Sequence, residues 1–334
     1  KQALQEHPER RLRMLGVNKE YAEKGYLPYD SGFESNFSVS ESLEYIYGDW
    51  CTAQMAKRLG KKKEYELFSK RAQNYKNLFD GTVGFMRPRL RDGSFVKDFS
   101  PTTAFKEGFC ETSSWEYSFF VPHDVQGLIN LVGGNQEFTD RLDEFFDRRL
   151  YNNQNETGIQ TPFLYNYAGK PWKTQKTTLF YVRNFHFNKP GGLYGEDDAG
   201  AMSAWYAFAS LGLFPVCPGQ GIFTITSPNF ESVALQLGQK EFRIHCVNFS
   251  LENQYIQGAL LNQKPFDKTY LTLDQLKEGG ELVLFMGNTE SDWGTKPESA
   301  PPSMTEQPIS VSLESAVIKE AEADGRFQLE VRVK

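Results

Sequence analysis

The chain has 334 residues, with 37 Lys and Arg against 43 Asp and Glu, for a net charge of -6 at pH 7. That length carries one large domain or two smaller ones with a full core, and the mild acidity offers no basic surface for nucleic acid. No apolar run approaches the roughly 20 residues that span a bilayer, and an aromatic share of 14% supplies rings for a core and for stacking on sugar faces.

In chain order, residues 1–8 do not read as a signal peptide, which leaves the compartment open. A helix is predicted over 40–59, where Leu43, Ile46, Tyr47, Trp50, Ala53 and Leu59 recur at helical spacing and Gly60 ends the run. A second is predicted over 63–79, with Tyr65, Phe68, Ala72, Tyr75 and Phe79 on one face. Further helices read over 125–132, 138–150, 175–187 and 200–211. The loops between them, 81–110, 151–173 and 188–199, are rich in Gly, Pro and aromatics. Loops longer than about 12–15 residues in a compact domain tend to carry function.

Near Pro215 the period changes. Residues 223–226, 233–237, 242–247 and 282–286 alternate and are β-branched, as antiparallel strands are. Residues 295–307 read as a polar linker, and 309–318 and 327–333 as a last pair of strand-like runs. The organisation expected is a helical region over 1–215, an antiparallel β region packed on it over 216–294, and a linker with a strand-like tail over 295–334. Helices whose long loops send acids to one end suggest a mainly α fold, an α/α toroid that binds sugars at its mouth. Cys51, Cys110, Cys217 and Cys246 show no C-x-x-C spacing. No zinc site is expected. They read as isolated buried thiols, or as one disulfide in an oxidising compartment.

Three segments carry the chemistry. Glu196, Asp197 and Asp198 stand in a row between glycines, just before an apolar helix start. Such a run either handles a proton, a metal or a polyhydroxylated ligand, or is an acidic helix start in which Asp197 or Asp198 caps N–H groups. Glu111 neighbours Phe109, Cys110 and Trp115. Apolar surroundings would raise its pKa and let it act as a general acid; the alternative is a buried structural Glu. An ionised acid of the run is suited to activate water, the division of labour found in glycosidases. Asn155 and Glu156 offer hard oxygen ligands, better suited to calcium than to zinc, or else form an Asx-type turn. His123 alone is as readily a satisfied structural residue. No nucleophile triad is spaced in the chain, and Gly191-Gly192 does not fit a phosphate loop.

Taken jointly, residues 38–45, 74–80, 84–89, 120–124, 165–172 and 195–200 resemble the catalytic domain of glycoside hydrolase family 92, the calcium-dependent exo-α-mannosidases, over about residues 20–293. The resemblance implies an (α/α)6 barrel, incomplete here at its N-terminal side, followed by antiparallel strands. A preceding β-sandwich segment of the same protein is implied as its partner. It implies inverting hydrolysis of terminal α-linked mannose from a glycan or glycoprotein, with Ca2+ as cofactor. Glu111 falls at the general-acid position, Asp198 at the general-base position and Glu196 at that of a helper acid. Asn155 and Glu156 fall on the calcium loop. Trp115, His123, Asp124, Gln160 and Asp197 are the expected substrate-binding residues. Thr157 and Gln160 stand where many relatives have Pro and His, beside the leaving-group sugar. Inversion calls for the two carboxyls about 6.5–9.5 Å apart. The family's work on external glycans implies a secreted, periplasmic or cell-surface protein. The rival readings are a non-catalytic carbohydrate-binding toroid and a toroid glycosidase of other specificity.

Overall fold

Helical periodicity holds through residue 211 and then yields to alternation, and the structure divides there. The computed structural model describes residues 15–30, 37–104, 107–152, 156–306, 313–321 and 327–333. The helical part comprises α1 (Leu15–Lys24), α2 (Ser38–Arg58), α3 (Lys62–Arg71), a small hairpin of β1 (Phe79–Asp80) and β2 (Phe85–Met86), then α4 (Ser114–Tyr117), α5 (Val125–Val132), α6 (Asn135–Asp147), α7 (Pro171–Phe185) and α8 (Ala201–Leu211). Their apolar faces meet in one ring-rich core that includes Ile46, Tyr75, Phe109, Phe138, Phe145, Phe163 and Trp205. Asp49 joins three helices. It is buried and accepts from Tyr21 Oη at 2.7 Å and from Arg71 Nε at 2.8 Å. Burial still pushes its carboxyl above the usual range, because desolvation outweighs both partners.

The helix expected over 63–79 stops at Arg71. Beyond it, Asn74–Asn77 forms a single 3-10 turn and Phe79-Asp80 enters the hairpin. Asp80 fixes that turn, accepting from Thr82 N at 2.9 Å, Thr82 Oγ1 at 2.7 Å and Arg87 Nη1 at 2.9 Å. Tyr75 and Leu78 remain fully buried, so their apolar pattern survives the change of backbone.

The β part holds β3 (Leu213–Phe214), β4 (Ile222–Ile225), β5 (Ser232–Leu237), β6 (Lys240–Val247), β7 (Tyr255–Leu261), β8 (Lys264–Pro265), β9 (Tyr270–Thr272), α9 (Leu273–Glu278) and β10 (Gly280–Gly287). One sheet runs β5-β6-β10-β7-β8 and another β3-β4-β9. The first is mixed. β10 pairs antiparallel with β7 but parallel with β6, placing Leu282 opposite Ile244 and Leu284 opposite Cys246. A purely antiparallel region is therefore corrected at this pair. Parallel neighbours need a long connection, and the chain between β6 and β10 includes α9, which opens on a capping box of Thr272 and Gln275. β11 (Leu313–Ala321) and β12 (Phe327–Val333) pair antiparallel with each other. All four cysteines are free; Cys217 and Cys246 are buried, whereas Cys51 is exposed and Cys110 half-buried, so burial holds for only two.

Buried polar groups tie the two parts. Asn166 Nδ2 donates to the Ile225 carbonyl at 2.9 Å, Ile256 N to Gln175 Oε1 at 2.9 Å, and the Thr178 and Thr226 hydroxyls meet at 2.6 Å. From the β part the chain returns to the helices at residues 303–305. There Asp124 accepts from Ser303 Oγ, Thr305 N and Thr305 Oγ1, while also accepting from Tyr75 Oη at 2.8 Å and capping α5 through Gly127 N at 3.2 Å. No helix among the described residues is long and apolar enough to cross a membrane. Asp124→Ala would orphan five donors at once. It is expected to lower stability in urea unfolding by about 3 kcal/mol; a loss below about 1 kcal/mol contradicts the clamp.

Candidate active site

Glu111 is placed by the start of α2. The Gly108 carbonyl accepts from Val39 N at 2.9 Å and Ser40 N at 3.1 Å, and Cys110 N donates to Ser40 Oγ at 2.9 Å. Only glycine suits position 108: its φ is +95°, and a Cβ there would lie 2.7 Å from Pro88 Cγ. Glu111 itself has φ 62° and is exposed. The apolar burial expected for it is therefore corrected. A left-handed kink turns its side chain to solvent while Phe109, two residues earlier, goes into the core.

The short helix α4 follows. Ser114 Oγ donates to the Met86 carbonyl at 2.6 Å and Met86 N to Ser118 Oγ at 2.9 Å, so α4 is fastened to β2. Trp115 is 4% exposed. It packs edge-on to Phe85 at 4.7 Å and stacks on Phe145 at 6.1 Å, with the Arg148 guanidinium 5.3 Å from its centroid. Its ring is therefore packed into the core. The buried acid of this region is Glu116, at 1% exposure. Burial pushes its carboxyl up to about 7, against opposing hydrogen bonds from Thr157, the Asn152 backbone and Thr112. Thr157 Oγ1 donates to Oε1 at 2.6 Å.

Glu156 is half-buried, and the segment after it is anchored. Gln160 Nε2 donates to the Thr157 carbonyl at 2.9 Å, and Trp205 Nε1, from α8, donates to the Ile159 carbonyl at 2.9 Å. Gln160 is 3% exposed and spends its amide on that bond, which takes it away from solvent-side contacts. Asn155 lies outside the described residues.

The acidic run stands at the start of α8. Glu196, Asp197 and Asp198 are all exposed. Asp197 is the capping residue: its Oδ1 accepts from Ser203 N at 2.8 Å and its carbonyl from Gly200 N at 2.9 Å. The helix-start reading of the run thus holds for Asp197. Asp198, Ala199 and Gly200 then take φ of 40°, 59° and 97° in succession. His123 and Asp124 are turned inward. His123 is 2% exposed, bonds the Ala72 carbonyl through Nε2 at 2.8 Å and is ringed by Tyr47, Trp50 and Tyr75. Asp124 clamps residues 303–305, so both side chains are built into the fold rather than turned to solvent.

Electrostatics show which segments converge. Burial raises the Cys110 thiol, and the charges of Glu111 and Glu41 raise it further. Burial likewise drives Tyr117 well above its ordinary value, against a hydrogen bond with Ser40, and Cys110, Glu44 and Glu111 add to the rise. Glu44 keeps exposed surface, yet desolvation of its carboxyl by the surrounding protein lifts it above the usual range and the charge of Glu156 lifts it again. Glu41, Glu44, Glu111 and Glu156 therefore share one acidic neighbourhood. Glu44 escaped the sequence reading because a helix surface rich in Glu looks solvated; only the helical register with Ser40, which touches Cys110, marks that face. Tyr151 and Tyr194 line a groove of about 910 Å³ with Phe180, Phe185 and Asn184.

The charge of Glu156 bears on Glu44, and carboxylates of this kind offer the hard oxygen donors that a calcium-like cation takes. Among the described residues no three His, Cys, Asp or Glu side chains group closely enough to hold a metal alone. The donor chemistry fits such a cation, with other oxygens needed to complete its shell.

A family model described as the glycosyl hydrolase family 92 catalytic domain matches residues 1–288. An uncharacterized secreted glycosidase of Arthroderma benhamiae is 36% identical over 312 residues, covering 84% of this chain and 40% of that protein. A family GH92 alpha-mannosidase from Bacteroides thetaiotaomicron superimposes with a TM-score of 0.82 at 37% identity, covering 86% of this chain and 40% of that one. A family GH92 inverting mannosidase from the same organism gives 0.81 at 33% identity, covering 86% and 42%. The likeness fits an α/α barrel followed by β strands. The chain spans about two fifths of the length of these relatives.

The raised Glu116 carboxyl has a pH signature. Below the ordinary value of 4.5 both folded and unfolded chains hold the proton. As pH rises towards about 7 only the folded chain keeps it, so stability present at low pH is lost through that window. Glu116→Gln cannot ionise. Its stability relative to the parent is expected to grow from pH 4.5 to pH 8 by up to roughly 3 kcal/mol, read from unfolding curves; a difference independent of pH contradicts burial as the cause.

Proposed function

Because the chain belongs to glycosyl hydrolase family 92, we propose that it is the catalytic-domain portion of an exo-acting α-mannosidase that removes terminal α-linked mannose with inversion. Beside the family match over residues 1–288, what supports the reading is that Glu111 and Asp198 are presented alike. Both are exposed and both sit on left-handed backbone. Backbone in that region costs about 1–3 kcal/mol per residue and clusters at functional sites.

In the proposed reaction Glu111, as general acid, protonates the departing glycosidic oxygen. Asp198, as general base, takes a proton from the water that attacks the anomeric carbon from the opposite face. The leaving oxygen gains one proton and the water loses one, so the pair exchanges roles and resets through solvent. Glu196, beside Asp198, helps orient that water, and Asp197 holds the start of α8 that presents both. Glu156, with Glu44 and Asn155, would hold Ca2+. Bound there, the ion supplies fixed positive charge for sugar hydroxyls and favours a distorted ring. The substrate proposed is a mannose-containing glycan or glycoprotein, met outside the cell, as the secreted relative suggests. A β-sandwich segment of the same protein is proposed to complete the mouth of the barrel.

The full-length protein is the proper subject of the test. Glu111→Gln and Asp198→Ala are each expected to cut release of mannose from an α-mannobiose by about 10²–10⁴-fold, with mannose binding by Asp198→Ala still measurable in calorimetry. Undiminished hydrolysis by either variant ends the assignment. Chelation with EDTA is expected to abolish turnover and added calcium to restore it; an unchanged rate in chelator removes the metal from the proposal.

A further inference from the structure

Glu116 has no role in the reaction above, yet its surroundings are unusual for a structural acid. Its carboxyl is sealed from solvent, and hydrogen bonds from Thr157, the Asn152 backbone and Thr112 do not offset the cost of burying it. A buried acid held against that cost lowers stability, so an apolar side chain would serve the fold better. Its closest described contacts are with the segment that carries Glu156. Thr157 donates to Oε1 at 2.6 Å. One residue on, Gly158 lies directly on the carboxyl: a Cβ there would fall 2.8 Å from Glu116 Cδ and 3.1 Å from each oxygen. The backbone of the segment is thus seated on the acid with no room for a side chain between them.

We propose that Glu116 is a positioning residue, whose buried carboxyl seats residues 156–160 against α4 and so sets Glu156 relative to Glu111. Among the described residues, three side chains anchor the segment. Gln160 closes it on itself through the Thr157 carbonyl, Trp205 ties Ile159 to α8, and Glu116 ties Thr157 to α4. Helix α4 begins three residues after Glu111 and is fastened to β2 through Ser114 and Ser118. Glu116 therefore links the proposed acid and the proposed calcium loop to one rigid element. An error of about 1 Å in such placement costs as much as 10²-fold in rate. The catalytic consequence rests on the mannosidase reading; the seating itself does not.

The test compares Glu116→Ala, Glu116→Gln and Thr157→Val in the full-length protein, by hydrogen exchange and by kinetics. Glu116→Ala is expected to speed amide exchange over residues 156–160 by about tenfold or more while peptides from α5 to α7 keep their protection. Its kcat is expected to fall about tenfold or more with KM changed by less than about threefold. Glu116→Gln keeps an oxygen for Thr157 and is expected to recover most of both losses. Thr157→Val, which removes only the donor, is expected to loosen the same segment; it carries the test should Glu116→Ala fail to fold. Unchanged exchange over 156–160 in Glu116→Ala or, in its absence, in Thr157→Val overturns the proposal. So does Glu116→Gln behaving like Glu116→Ala. If the parent releases no mannose, the mannosidase reading fails, and the exchange arm still decides the seating.

Discussion

Glu111 and Asp198 hold their carboxylates out to solvent on backbone that side chains with a Cβ avoid. At about 1–3 kcal/mol per strained residue, Asp198, Ala199 and Glu111 would relax if their surroundings were soft. They are not. The Gly108 carbonyl is bonded to the first turn of α2, α4 is fastened to β2 by two serines, and Asp197 caps the start of α8. Each kink is thus gripped on at least one side by a helix terminus, where backbone N–H groups otherwise lack partners. The same bonds that satisfy those termini keep the carboxylates presented.

Beneath this layer the protein is held by rings and by a few buried polar clamps, not by surface charge. Exposed pairs such as Lys19–Glu23 at 3.8 Å and Lys62–Glu66 at 3.9 Å contribute little. Asp124, with five donors, and Asn166, which bonds carbonyls on both Ile225 and Thr269, do more. They join the helical and β parts, and removing either leaves buried groups without partners. The β part is in this way a support for α7 and α8, and α8 is the helix that carries the acidic run.

Much of the fold was legible in the sequence. The helical stripes at 125–132 and 200–211 reappear almost residue for residue, because caps and glycines bound them: Asp124 and Gly133 for α5, Gly200 and Gly212 for α8. The break of the expected 63–79 helix was hidden, since Tyr75, Leu78 and Phe79 keep apolar spacing through a 3-10 turn. The parallel pairing of β6 with β10 was hidden too, because alternation does not record strand direction. In the site, residue types were readable and burial was not. Glu111 and Glu116 lie five residues apart among the same aromatics, and sequence cannot tell which is turned inward; a single positive φ at Glu111 decides it. Trp115, His123 and Asp124 illustrate the same limit: residues suited to sugars are equally suited to a core or a clamp, and here the fold took them. Glu44 became visible only when α2 met the other two segments.

The central claim is that Glu111 and Asp198 act from opposite faces of one mannoside. The most direct measurement is proton NMR of the first mannose released from an α-mannobiose by the full-length protein, read before the anomers equilibrate. An inverting pair delivers β-mannose first, with the α anomer appearing only at the rate of spontaneous mutarotation. First appearance of α-mannose would mean retention through a covalent intermediate, and would contradict the roles given to both carboxylates.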